Sequence, residues 1–184
     1  MDRWAAHEGT PSPLGVTWVE AEQAFNFALY SKHATGVTLL LYAASDVVTP
    51  VIQYHFNHLI NKSGRIWHCR IPASQVRQVA YYAFQVEGPF NQPEGHRFDP
   101  EKVLLDPYAK GVFFPMEFDR EAARESGANA GRAPLGVIPH DHRRFEWGQD
   151  KPPRHTHDMV IYEMHVKGFT MRPNSGISDE ARGT

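Results

Sequence analysis

Residues 25–42 read FNFALYSKHATGVTLLLY, and the periodicity of this stretch decides the fold. In FNFALY, Phe25, Phe27 and Leu29 alternate with Asn26, Ala28 and Tyr30, the two-residue period of a half-buried strand. GVTLLLY (36–42) is apolar on both faces, which suits a central strand of a sandwich.

The same pattern continues outward. VIQYHF (51–56) follows a break at Thr49-Pro50, and IWHCRI (66–71) puts Trp67, Cys69 and Ile71 on one face with His68 and Arg70 on the other. AYYAFQV (80–86) ends at Glu87-Gly88-Pro89, a turn signal. Short strands at this spacing, with Gly, Pro or Asn between them, predict an all-β fold, an immunoglobulin-like antiparallel β-sandwich over residues 12–108. No helical period competes before residue 115.

Beyond the sandwich the pattern changes. Residues 109–157 read as a linker with a short helix near 119–126, capped by Asp119 and closed by Gly127. GANAGRAPLG (127–136) and QDKPPRHTH (149–157) are small-residue and Pro-rich stretches without period. Residues 158–184 then begin something new: MVIYEMHVKGFT (159–170) reads as a buried strand whose neighbours are missing.

Composition narrows the function. The net charge of −2 offers no basic surplus for releasing phosphate counterions, so nucleic acid and anionic membranes are not expected partners. No apolar run approaches the roughly twenty residues that span a bilayer. The single Cys69 allows no internal disulfide and sits in an apolar run, where a small buried hydrophobe is expected. The first ten residues, MDRWAAHEGT, lack the pattern of a secretory leader, so a cytoplasmic location is the default and Asn61-Lys62-Ser63 reads as a turn beside Gly64. No cofactor is called for.

Several stretches in order resemble the N-terminal part of bacterial glycogen-debranching enzymes and isoamylases. These are PLG (13–15), FNFALYSKHATGVTLLLY, SGRIWHCRIP (63–72), YYAFQVEGP (81–89) and GHRFDPEKVLLDPYAK (95–110), followed by VIYEMHVKGFT (160–170), which is similar to the first strand of that family's catalytic (β/α)8 barrel. The resemblance implies a glycoside hydrolase of family 13 carrying a module of the family 48 carbohydrate-binding type. Residues 12–108 would be the module and 158–184 the start of the barrel. The implied reaction is hydrolysis of α-1,6 branch linkages in glycogen or starch-like α-glucans by a pair of carboxylates, as in retaining glycosidases. Those carboxylates belong to later barrel strands, and their motifs are absent from these 184 residues, so the chain alone is expected to be catalytically silent. The alternative is a stand-alone, non-catalytic carbohydrate-binding or regulatory module.

Individual residues carry further expectations. Glu163 and His165 alternate on the implied strand, an acid/base pairing that would lack a pocket. His140-x-His142 and His155-x-His157 could each hold a metal, yet no Cys cluster accompanies them, and solvated loop histidines are expected instead. Trp67, Tyr81, Tyr82 and Trp147 are the aromatics that could stack on sugar rings. Trp67, alternating with Cys69 and Ile71, is expected in the core before any binding role. In sugar-binding members of the resembled module, the strand matching YYAFQVEG carries a Lys, and a Trp follows its turn Gly by two residues. Here Ala83 and Phe90 occupy those positions, and the loop of residues 43–66 has no Trp. These departures argue against direct glycogen binding there, with Phe90 and Trp67 left as the candidate carbohydrate-contacting side chains.

Overall fold

The structure, a computed structural model, describes residues 8–140, 148–150 and 160–183. The chain divides into two compact units, residues 1–143 and 144–184.

The first unit is built on strands β1 (Gly15–Val19), β2 (Ala24–Tyr30), β3 (Gly36–Ala43), β4 (Ile52–His55), β5 (Lys62–Ser63), β6 (Ile66–Pro72) and β7 (Val79–Glu87). Shorter pieces follow as β8 (Phe90–Asn91), β9 (His96–Arg97), β10 (Val112–Phe113) and β11 (Leu135–Val137). One sheet runs β1-β2-β6-β5, a second β10-β11-β7-β3-β4, and β8-β9 form a separate hairpin. All pairings are antiparallel. Each of the five periodic stretches in the sequence is a strand.

The core lies between the sheets. Phe25, Phe27 and Leu29 of β2 and Trp67, Cys69 and Ile71 of β6 meet Val37, Leu39 and Leu41 of β3 and Tyr82, Phe84 and Val86 of β7. Burying each large aromatic removes ~150–250 Å² from water, about 4–6 kcal/mol of transfer free energy before the entropy of ordering is counted. Phe27 meets Tyr82 edge-on, with ring centroids 5.5 Å apart, and Phe84 meets Tyr82 at 6.1 Å. Inside this layer the Tyr82 hydroxyl donates to Asp106 Oδ2 at 2.9 Å, and Tyr108 N–H donates to Asp106 Oδ1 at 2.8 Å. Burial raises the Asp106 carboxyl above the usual carboxylate range, against the opposing pull of those two donors.

Both outer faces are also covered. On the first sheet, Asn26, His68 and Arg70 are buried, although alternation alone assigns them to solvent. Residues 8–10 cross this face. Asn26 accepts from Thr10 N–H at 2.7 Å and donates to the Thr10 carbonyl at 3.0 Å, while His68 bonds the Glu8 carbonyl at 2.7 Å through Nδ1 and Ser63 Oγ at 2.8 Å through Nε2. The approach is close enough that a Cβ on Gly9, whose φ is +73°, would stand 2.5 Å from the Cys69 carbonyl carbon. Arg70 is paired with Glu22.

On the second sheet the cover is apolar: Leu40, Tyr42 and Ala83 lie beneath Val103, Ala133 and Leu135. The stretch expected as linker therefore belongs partly to the sandwich. Residues 112–113 and 135–137 are strands, with β11 pairing β7 at Tyr81 and Tyr82. The expected helix at 119–126 is a single 3-10 turn, Glu121–Ala123. Asp119 does accept from Glu121 N–H at 2.9 Å, and Gly127 is left-handed at φ +92°. Asp119 is also tied to Arg132 through a backbone bond and an ion pair, which anchors the start of the turn.

In the second unit, residues 160–165 form no strand, and Val166–Thr170 is a short helix, α1. This corrects the expected strand at 159–170. A strand is held by ladders to its neighbours, and among the described residues no segment pairs with this one. His165 instead caps the helix, its Nδ1 accepting from Gly168 N–H at 3.0 Å.

Candidate functional site

The face that carries sugar in the resembled modules corresponds to the outer face of β7 and β3, with the turns beside it. Ala83 stands opposite Leu40 in register and is fully buried under Val103, Ala133 and Leu135. The position where a ligating Lys is expected is thus closed as well as altered. Tyr42 lies in the same layer, its hydroxyl pushed up to about 12 by burial and, secondarily, by Asp46. Asp46 organises the loop after β3 by accepting from Val48 N–H at 2.9 Å and Thr49 N–H at 3.0 Å, and those bonds, Thr49's first, hold its carboxyl below the usual range. That loop presents aliphatic Val48 and Val51 to solvent, groups that offer neither a ring face nor a polar partner to a sugar.

Of the two candidate contacts, Phe90 is 66% exposed on β8, opposite Arg97 of β9. Its ring face is open for stacking. Trp67 is only 1% exposed, inside the core, with the Lys62 ammonium 4.3 Å from its ring centroid. A buried indole cannot stack on a ligand, so Trp67 is structural, as its alternation with Cys69 and Ile71 implies. The fold does not bring Trp67 and Phe90 to one surface. Tyr82 is buried too, and Tyr81 is stacked on Phe113 at 4.2 Å and 18°. Trp147 lies outside the described residues.

Glu163 and His165 are exposed, and His165 is engaged by α1. Neither lines any of the three cavities that open on the sandwich. His142, His155 and His157 lie outside the described residues, and His140 hydrogen-bonds the Val79 carbonyl at 2.6 Å through Nε2. Among the described residues no group of three or more His, Cys, Asp or Glu side chains is placed to hold a metal ion. No helix among them is long and apolar enough to cross a membrane.

Cavities of about 470, 400 and 290 Å³ open on the sandwich. Their acidic side chains are Glu22 in the first, Asp99 in the second and none in the third. Glycoside hydrolysis of the retaining kind needs two carboxyl groups about 5–5.5 Å apart flanking one bond. None of these cavities holds two.

Comparison with known proteins places this geometry. A family model described as carbohydrate-binding module 48 (isoamylase N-terminal domain) matches residues 13–109. The chain is 37% identical over 186 residues to "Isoamylase 3, chloroplastic" of Oryza sativa subsp. japonica, a match covering 96% of the chain and 22% of that protein. It is 34% identical over 170 residues to "Isoamylase SU1, chloroplastic" of Zea mays, covering 91% of the chain and 21% of the relative. The chain thus spans about a fifth (22% and 21%) of the length of the curated relatives it matches. Among solved structures, apo pullulanase from Paenibacillus barengoltzii superposes with a TM-score of 0.51 at 20% identity, over 93% of this chain and 22% of that one. The product complex of a multi-modular glycogen-degrading pneumococcal virulence factor, SpuA, gives 0.52 at 20% identity, over 90% and 16%. At these identities the two superpositions speak for the fold alone.

Proposed function

The chain belongs to the carbohydrate-binding module 48 (isoamylase N-terminal domain) family, and on that premise we propose that it is the N-terminal part of a debranching enzyme that hydrolyses α-1,6 linkages in glycogen- or starch-like α-glucans. In this role the sandwich is a non-catalytic partner of a catalytic barrel. The observation that carries the reading is the reach of the likeness. The family module ends at residue 109, whereas the match to isoamylases covers 96% of the chain. A stand-alone binding module would share only the sandwich with such enzymes.

Two structural features support the same role. The usual sugar face is closed over Ala83, so the sandwich is better suited to packing than to gripping glycogen on that face. The run after β10 presents Phe114, Met116 and Phe118 to solvent, apolar surface of the kind that marks contact with another protein unit. A cytoplasmic location belongs to this proposal and agrees with a lone, buried Cys69 whose thiol burial pushes up.

The test is the coding sequence beyond codon 184. Continuation into barrel strands bearing an Asp, a Glu and a second Asp, with release of linear chains from glycogen by the full product and none by residues 1–184, is the expected result. A stop codon followed by unrelated sequence, or reducing-sugar release by residues 1–184 alone, overturns the reading.

A further inference from the structure

We propose that the open seam of the sandwich between β2 and β7 is a second α-glucan site, distinct from the closed face and shaped for one or two glucosyl units. The proposal rests on the debranching reading only for the class of sugar; the site itself follows from how the sheets end.

Both strands that flank this seam stop short. β1 pairs with β2 from Ala24 to Ala28 and leaves Leu29 and Tyr30 uncovered on that edge. β11 pairs with β7 only at Tyr81 and Tyr82, and beyond it a single bridge joins Leu104 to Phe84. The sheets therefore part here into the cleft of about 400 Å³. Its floor is the apolar end of the core, at Leu29, Phe84 and Val86, and residues 97–107 form the opposite wall. The volume is at the small end of the range for ligand pockets, about 300–1,000 Å³.

The chemistry of the lining is divided in the way a pyranose is divided. A glucosyl ring presents C–H groups on its faces and hydroxyls around its perimeter. The cleft offers the rings of Phe98 and of Tyr30, which is 49% exposed, together with the polar groups of Arg97 and Asp99. Phe98 is held in place by contact: a Cβ on Gly88 would stand 2.6 Å from its ring. Asp99 is fixed by N–H donors from Gly127 at 2.8 Å and Glu101 at 3.0 Å, which keep it ionised. A carboxylate has about four acceptor sites, so two remain. Lys102 in the same wall is anchored to the Ala122 carbonyl at 2.6 Å. Among the described residues, the Arg97 guanidinium makes no hydrogen bond or ion pair, leaving its planar donors free for adjacent hydroxyls. A purely apolar ligand would leave Arg97 and Asp99 desolvated without partners, and an anion would face Asp99. A neutral polyol with an apolar ring face satisfies both halves of the lining.

The experiment titrates residues 1–184 with maltotriose and maltoheptaose by calorimetry and by amide NMR shifts. Binding is expected, with shifts at residues 29–31 and 97–99, and Tyr30→Ala and Arg97→Ala each weaken it by about tenfold, the loss of one good contact. Both side chains are exposed, so melting curves should match the parent's. Gly88→Ala, which displaces the Phe98 ring, weakens it as well, whereas Val48→Ala, on the loop after β3 and outside the cleft, changes it by less than about twofold. Absence of binding, unchanged affinity in Tyr30→Ala and Arg97→Ala, or loss of binding in Val48→Ala overturns the site. None of these outcomes touches the debranching reading, which stands or falls on the sequence and activity beyond codon 184.

Discussion

The two sheets of this sandwich cover their outer faces by opposite means. On the first, buried Asn26, His68 and Arg70 are held by bonds to the backbone of residues 8–10, to Ser63 and to Glu22, with Arg70 Nε alone of these left unmatched. On the second, the side chains of Leu40, Tyr42 and Ala83 are covered by apolar ones from Val103, Ala133 and Leu135, and hydrogen bonds serve only to hold the covering backbone. A polar cover fixes one register, because a shift of one residue leaves every group desolvated and unpaired. An apolar cover tolerates small shifts but excludes charge altogether. The first face specifies, the second seals. A Lys at position 83, the residue type the resemblance implies for sugar-binding modules, would be sealed beneath that second face.

Substitutions can break this contrast. Ala83→Lys, which restores the residue type of sugar-binding modules, should be the most damaging, because an ammonium would be trapped beneath Val103 and Leu135. A loss of about 4 kcal/mol and a Tm drop of at least about 10 °C are expected by calorimetry; a drop of only a degree or two would mean that the face opens freely. Glu22→Ala comes next. It strands the guanidinium of Arg70, whose side chain is 3% exposed against 28% for Glu22, at a cost of about 3 kcal/mol in urea unfolding. Asn26→Ala removes both bonds to Thr10 and should cost about 2 kcal/mol, with loss of hydrogen-exchange protection at the Thr10 amide as its signature. If that amide stays protected, the polar face is not what holds residues 8–10.

The smallest effect sharpens the comparison from between the sheets. Tyr82→Phe should cost about 1–2 kcal/mol at pH 7 and less near pH 4. The Asp106 carboxyl is raised in the folded chain, so its contribution to stability is present below its folded pKa and is lost as pH rises through it. Removing the Tyr82 donor raises that pKa further, and the gap between parent and variant therefore widens with pH. A gap that is flat with pH would mean that the bond does not act on the ionised form.

Much of this was legible in the chain. The alternation of Phe25, Phe27 and Leu29, and of Trp67, Cys69 and Ile71, set both strand and inward face. Other features lacked the signal. β1, GVTWV, is five residues long and is not among the stretches read as strands; β10 and β11 are two and three residues long and carry no period to detect. His68 and Arg70 alternate with apolar residues as solvent-facing groups do, and nothing local announces that residues 8–10 will cross them. The stretch at 159–170 shows the converse: its apolar run has strand propensity, but a ladder is a property of two segments, and Val166–Thr170 is helical among the described residues. For the site, Ala83 and Phe90 are readable in the chain only as departures from the resembled modules, while the seam between β2 and β7 depends on where β1 and β11 stop, which propensity does not encode.

The side chain of Asn129 has a consequence for how such proteins are inherited. Its amide takes the place of a neighbouring strand for Val103, accepting from that residue's N–H at 2.7 Å and donating to its carbonyl at 3.1 Å. The family likeness closes at residue 109, twenty positions earlier. A gene segment copied at that boundary would carry the whole of the recognised module, yet arrive with Val103 unanswered and with Leu40 and Tyr42 stripped of Ala133 and Leu135. The length that is transmitted and the length that folds differ here, and recombination that respects only the first would deliver a domain in need of a new lid.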